Sequence, residues 1–265
     1  MSDGILRLAV FGMTGAGKTS FINKATGAQL EVGGSGNSCT KDVQYGETTV
    51  NAKKVLLLDT PGFDDSGGRD ADIFVEISKW LAVAEASGTS VDGVIIMQPI
   101  NKPRVTDSEQ KKTQLFKKIV GGAFYPKVAF GDVPTGAKVL RFENTERSAR
   151  DVVLHFMGLN SNPYPRTRLL LQEELVQADG RLNDTSACRE LDIMLGQKTR
   201  SFQVQINQGR VASTPELQGR VNDISKKRSW LKTIKINGKD LLKTFGKWAG
   251  GAVVSTALGL LCEVM

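Results

Sequence analysis

With 265 residues, 40% of them hydrophobic and 24% charged, the chain is long and apolar enough for one sizeable core with sequence left over for an appendage. Its three cysteines (Cys39, Cys188, Cys262) lack disulfide or metal-ligand spacing and its one histidine, His155, cannot build a metal site, so a disulfide-stapled or zinc-dependent fold is excluded. The net charge of +7 falls entirely within Ile224–Lys247, which holds eight basic residues and one acid, Asp240; the basic character belongs to the tail, and no nucleic-acid partner is expected.

In chain order, "ILRLAVFG" reads as a buried strand and "TSFINKATG" as a short helix closed by Gly27. Strand-like sequence begins by Ile5, which leaves no room for a signal peptide and points to a cytoplasmic protein. A glycine-rich stretch, "EVGGSGNSCTKD", precedes "DVQYGETTVN" and "KKVLLLDT", an expected antiparallel strand pair. "DIFVEISKWLAVAEA" is a helix by its apolar spacing, "GVIIMQPI" a strand, and "SEQKKTQLFKKIVGG" a helix ending in paired glycines. This alternation implies a mostly parallel sheet covered on both faces. Beyond Phe142, "NTERSARDVVLHF" and "RTRLLLQEELVQADG" read as helices, and Thr185 to Lys227 as a long polar region, helical or partly disordered.

One motif carries chemistry. "GMTGAGKTS" is a complete G-x-x-x-x-G-K-[ST], with Gly12, Gly17, Lys18 and Thr19 in place between a strand and a helix. Glycines let backbone N–H groups turn onto phosphate oxygens, and the helix points its positive end at the anion. Lys18 suits the β- and γ-phosphates and the Thr19 hydroxyl suits Mg²⁺. Asp59, at the end of "VLLLDTPGF", can hold a Mg²⁺-bound water, and Gly62 can meet a γ-phosphate through its N–H. Thr40 in "SCTKD" stands where a switch threonine would close on Mg²⁺, against the plainer reading of a surface threonine.

"VFGMTGAGKTSFINKATG", "SCTKDVQ" and "LLLDTPGFDDS" resemble the septin-related GTPases of the immune-associated nucleotide-binding and chloroplast-import (Toc) type, above all the fungal G-domain proteins of that group. "LLLQEELVQADGRLNDTSACREL" resembles the segment that follows their G domain. The resemblance covers residues 5–128 and 139–195. It implies a Ras-like three-layer α/β fold, guanine nucleotide (GTP or GDP) with Mg²⁺, and nucleotide-dependent homodimers. Carried over by position, Gly12, Gly15, Ala16, Gly17, Lys18, Thr19 and Ser20 are the phosphate loop. Thr19, Thr40 and Asp59 are the metal set, and Lys18, Thr40 and Gly62 the residues acting on the γ-phosphate.

The chain also departs from that pattern. Family members carry a base-contact segment and a further helix after the strand that begins here at "PKVAF"; this sequence runs through "GDVPTGAKVLRF" straight to what reads as the last strand. "NKPR" at Asn101–Arg104 follows the wrong strand, and Arg104, a donor only, stands where guanine needs an acceptor. Phe63 occupies the place of a water-orienting glutamine, so slow hydrolysis is expected. Arg69 is a candidate helper, although an exposed loop arginine is the commoner case.

From Leu231 to Trp248, apolar residues (Leu231, Ile234, Leu241, Phe245, Trp248) and lysines (232, 235, 239, 243, 247) separate into two stripes of one expected helix. An uncharged stretch follows that falls short of the ~20 apolar residues a bilayer span needs. Peripheral contact with a membrane surface, and packing on the G domain or in a dimer contact, are both open readings. The expected organisation is a G domain at 1–158, shortened around 129–138, a helical extension at 159–230 and a tail at 231–265. The leading function is a slow GTPase acting as a switch or assembly module. The alternative is a degenerate G domain serving as an interaction module; an ATPase reading leaves Thr40 and D-T-P-G unexplained.

Overall fold

The computed structural model describes residues 5–30, 44–63, 69–89, 91–99, 106–130, 137–159, 168–208 and 214–245, with backbone alone at 126–130 and 243–245. Thr40, the "NKPR" segment and residues 246–265 lie outside the described residues.

Five strands form one sheet in the order β2-β3-β1-β4-β5: β1 Leu6–Gly12, β2 Gln44–Val50, β3 Lys53–Asp59, β4 Gly93–Met97 and β5 Val128–Phe130. Only β2 runs antiparallel, joined to β3 by the expected hairpin. Its turn places Asn51 and Ala52 both at positive φ (49° and 61°), the geometry that continues the twist of a two-residue hairpin. The other pairs are parallel. Strand β1 is buried along its whole length, as a central parallel strand must be.

The period-2 alternation of β1 divides the core. Leu6, Leu8 and Val10 join one apolar cluster with α1 (Lys18–Thr26) and α4 (Glu146–Leu159). Ala9 and Phe11 join the other, which draws in α2 (Arg69–Ala86), α3 (Asp107–Val120), α5 (Leu170–Gln177), α6 (Ser186–Asn207) and α7 (Pro215–Leu231). The result is a three-layer α/β sandwich of the P-loop NTPase type with a helical C-terminal region packed on one face.

Two expectations fail here. Val139–Phe142 is not a strand: among the described residues the sheet ends at β5, Val139 is exposed, and Leu140 and Phe142 pack beside α1. Phe142 meets the Phe21 ring edge-on at 5.2 Å. A parallel crossover needs about a dozen residues or more, and 131–138 is too short to provide one.

The long polar region from Thr185 follows the helical of its two expected readings, with α6 and α7 as its described helices. Thr185 caps α6 through the Cys188 N–H, Thr214 caps α7 through that of Leu217, and Leu191, Leu195, Ile224 and Leu231 are buried.

The single amphipathic helix from Leu231 is also absent, because α7 stops at Leu231 and α8 starts afresh at Gly238–Phe245. Between them the chain pairs with the α5–α6 connection: the Leu182 N–H donates to the Ile234 carbonyl (3.1 Å) and the Ile236 N–H to the Gly180 carbonyl (2.8 Å). Leu231, Ile234 and Leu241 of the apolar stripe lie on the core in this docking, together with Ile236. Gly238 sits so close to α2 that a Cβ there would lie 2.1 Å from the Ala82 carbonyl oxygen.

Candidate functional site

Strand β1 delivers the chain into the phosphate-type loop at Gly12. A Cβ on Gly12 would lie 2.7 Å from the Met97 carbonyl oxygen at the end of β4, so only glycine lets the loop leave the sheet here. Gly17 caps α1 in the left-handed conformation (φ 86°) and offers no side chain to the helix. The first turn of α1 carries no acid either, unlike those of α2 and α3. Its N–H groups and positive end are therefore left for an external anion. Gly15 is exposed, Ala16 is buried, and Ser20 lies on the first turn behind Lys18 and Thr19.

Lys18 is buried and donates to the loop's own carbonyls, to Met13 at 3.0 Å and Gly12 at 3.4 Å. Burial lowers its pKa to about 8, partly opposed by the Asp59 carboxylate. Asp59, fully buried at the end of β3, accepts a 2.7 Å hydrogen bond from the Thr19 hydroxyl on Oδ2, while Oδ1 has no partner. Burial raises the Asp59 pKa, against the Thr19 hydrogen bond and the charge of Lys18. Both shifts have burial as their largest cause, so each charge is held away from solvent at this end of the sheet. A carboxylate with an orphaned oxygen beside a hydroxyl is an all-oxygen donor set, which fits a hard divalent cation such as Mg²⁺.

Gly62 is held against this pair. A Cβ on it would stand 2.7 Å from the Thr14 nitrogen and 2.8 Å from Lys18 Nζ. The Thr14 N–H donates to the Phe63 carbonyl (2.9 Å), its hydroxyl donates to the Gly62 carbonyl (3.0 Å), and Met13 bridges Phe63 in parallel. Phe63 is fully buried and meets Phe116 of α3 edge-on at 5.4 Å, so its ring faces the core. The Thr60 hydroxyl donates to the Val10 carbonyl, tying the segment to β1 as well.

The structure thus brings Gly12, Gly15, Ala16, Gly17, Lys18, Thr19, Ser20, Asp59 and Gly62 to one end of the sheet. Arg69 stands at the start of α2. Thr14 and Thr60, which fasten the two loops, were not legible in the sequence, because each fills a position that the motif leaves open.

Residues 7–123, somewhat less than half of the chain, match the family model described as 50S ribosome-binding GTPase. That segment is similar to a GTPase domain. A GTP-binding protein A of Dictyostelium discoideum is 30% identical over 122 residues, which are 45% of this chain and 26% of that protein. A GTPase Der of Buchnera aphidicola is 32% identical over 78 residues, 28% of this chain and 17% of the relative. The chain thus spans about a quarter or less of the length of these relatives. Among solved structures, Toc33 from Arabidopsis thaliana in complex with Mg²⁺ and GMPPNP aligns at 19% identity and TM-score 0.39, covering 60% of this chain and 63% of that one. A superposition that loose adds nothing to the sheet order and loop geometry above.

Proposed function

We propose that this chain binds GTP and GDP with Mg²⁺ and hydrolyses GTP slowly, as a switch or assembly module. The observation that carries the reading is the buried, partnerless Oδ1 of Asp59 beside Thr19 and Lys18, an arrangement that a metal–phosphate ligand would complete. Gly12, Gly15, Ala16, Gly17 and Ser20 offer backbone to the phosphates, and Lys18 exchanges its two carbonyl partners for phosphate oxygens. Thr19 and Asp59 would hold Mg²⁺, joined by Thr40, and the ion, when bound, neutralises phosphate charge. Gly62 places its N–H toward the γ-phosphate and registers its loss. No side chain of the D-T-P-G-F segment orients a water, since Phe63 is spent in the core, and this supports slow turnover.

The decisive experiment titrates fluorescent GTP, GDP and ATP analogues with Mg²⁺ against the wild type and Lys18→Ala. Guanine-only binding that disappears in the variant is the expected result. Equal binding of both bases would reduce the site to a phosphate reader, and no binding at all would leave the degenerate interaction module.

The G domain is assigned to 1–158 and the helical extension to 159–230, with the extension sharing a core with the sheet face it covers. Homodimers that form with a GTP analogue and part with GDP follow from the family resemblance, and sedimentation velocity with each nucleotide tests them. No helix among the described residues is long and apolar enough to cross a membrane. Any peripheral membrane contact is assigned to residues beyond α8, because the stripe from Leu231 to Leu241 is used in the core. Pelleting with anionic vesicles, full chain against a chain ending at Phe245, tests this assignment; equal pelleting of the two refutes it.

A further inference from the structure

Away from the phosphate loop, the N-terminal parts of α2 and α3 and the middle of α6 border a half-open cavity of about 290 Å³. Its floor is apolar: Leu191 and Leu195 are fully buried, and Met194, half-buried, supplies a thioether that adapts to irregular shapes. Its wall is charged, with three lysines (Lys111, Lys112, Lys198) facing two acids (Asp70, Asp107). Lys112 is itself only 2% exposed. The Lys111–Asp107 ion pair at 3.2 Å lies on the open rim and is screened by solvent. Lys112 and Lys198 have other partners in the chain, so an arriving anion joins a network already built.

An apolar floor beside a small excess of positive charge is the layout of a ligand pocket, at the lower end of the usual size range. We infer that this cavity binds a small amphipathic anion, a carboxylate- or phosphate-headed molecule with a short aliphatic or aromatic body. The head group sits among Lys111, Lys112 and Lys198, and the body lies on Leu191, Met194 and Leu195. A neutral molecule of the same body leaves the lysines without the added charge. The inference is independent of the nucleotide assignment, because none of these residues belongs to the phosphate loop or to Asp59–Phe63.

Octanoate is short enough for the cavity and serves as the probe, with octanol as its neutral match. The readout is the methyl resonance of Met194 in the full chain labelled at methionine methyls, assigned by Met194→Leu. Octanoate should shift this resonance saturably, with octanol about tenfold weaker or more. In Lys198→Glu the octanoate affinity should fall by a similar factor; Lys111→Glu, at a partly exposed position, makes the same test if the first variant folds poorly. A Met194 resonance that octanoate leaves unmoved overturns the proposal. So does one that octanol moves equally well, or one whose response survives the charge reversals. A carboxymethyl or phosphomonoester head on the same aliphatic body then shows which acid the lysines prefer.

Discussion

The Thr19 hydroxyl donates to Oδ2 of Asp59 at 2.7 Å, and this contact fixes one carboxylate oxygen while leaving the other buried without a partner. It joins the helix after the phosphate loop to the strand that ends at D-T-P-G. Replacing Asp59 by Asn keeps an acceptor for Thr19 and removes the buried charge. The nucleotide-free protein should then melt higher, whereas the part of GTP-analogue affinity that depends on Mg²⁺ should fall by about tenfold or more. Thermal melts and titrations with and without Mg²⁺ check the two halves of this prediction separately.

Lys18 gives a pH signature. Its folded pKa of about 8 lies below the ordinary 10.5, so between those values the unfolded chain holds a proton that the folded one has lost. The associated stability is fully present above 10.5 and is lost as pH falls through 8, on the order of 3 kcal/mol in total. Phosphate prefers the protonated ammonium, so nucleotide affinity should run the opposite way and weaken as pH rises past 8. Both trends should vanish in Lys18→Met, compared with wild type by denaturant unfolding and by nucleotide titration across the same pH range.

Gly62 tolerates no side chain, because its Cβ would press on the Thr14 backbone and on the Lys18 ammonium together. Gly62→Ala should cost roughly 1–3 kcal/mol in urea unfolding and weaken triphosphate binding more than diphosphate binding. Equal losses for the two nucleotides would argue against a γ-phosphate role.

Restoring a glutamine at position 63 should not restore fast hydrolysis. The Phe63 side chain is buried against Phe116, so Phe63→Gln puts an amide in the core and should cost roughly 3 kcal/mol or more. Single-turnover phosphate release should stay at the wild-type rate or below it. A clear acceleration would mean that the side chain can reach the phosphates after all.

Gly180 has φ 78°, and a Cβ on it would lie 2.1 Å from the Ile236 carbonyl oxygen. Gly180→Val should undock the segment between α7 and α8, with a loss of roughly 2–3 kcal/mol and new protease cleavage after Lys232 or Lys235.

The phosphate loop, the D-T-P-G segment, the hairpin and the alternation of strands with helices were all legible in the sequence, because each is set by local chemistry: glycines where backbone must approach, period-2 or helical apolar spacing elsewhere. What misled was spacing that two structures satisfy. Leu231, Ile234 and Leu241 fit one helical stripe, yet they also fit a turn, a bridge and a new helix that all face the same core. The stop was written in Asn237, whose Oδ1 accepts from the Lys239 and Asp240 N–H groups, an N-cap that the helical reading passed over. Val139–Phe142 has strand composition but no chain length to reach the sheet edge. For Phe63, sequence showed only that glutamine was missing; the reason, a ring committed to the core, needed the third dimension.

The hydrogen bonds between Thr14 and residues Gly62 and Phe63 continue the sheet by one rung beyond the strands, and that rung is made of the two segments that would touch phosphate. Their relative position is fixed when the protein folds, so an incoming nucleotide loses little binding free energy to ordering them. Affinity at this end of the sheet is therefore inherited from the cohesion of β1 and β3, and substitutions that loosen those strands will weaken nucleotide capture without touching it.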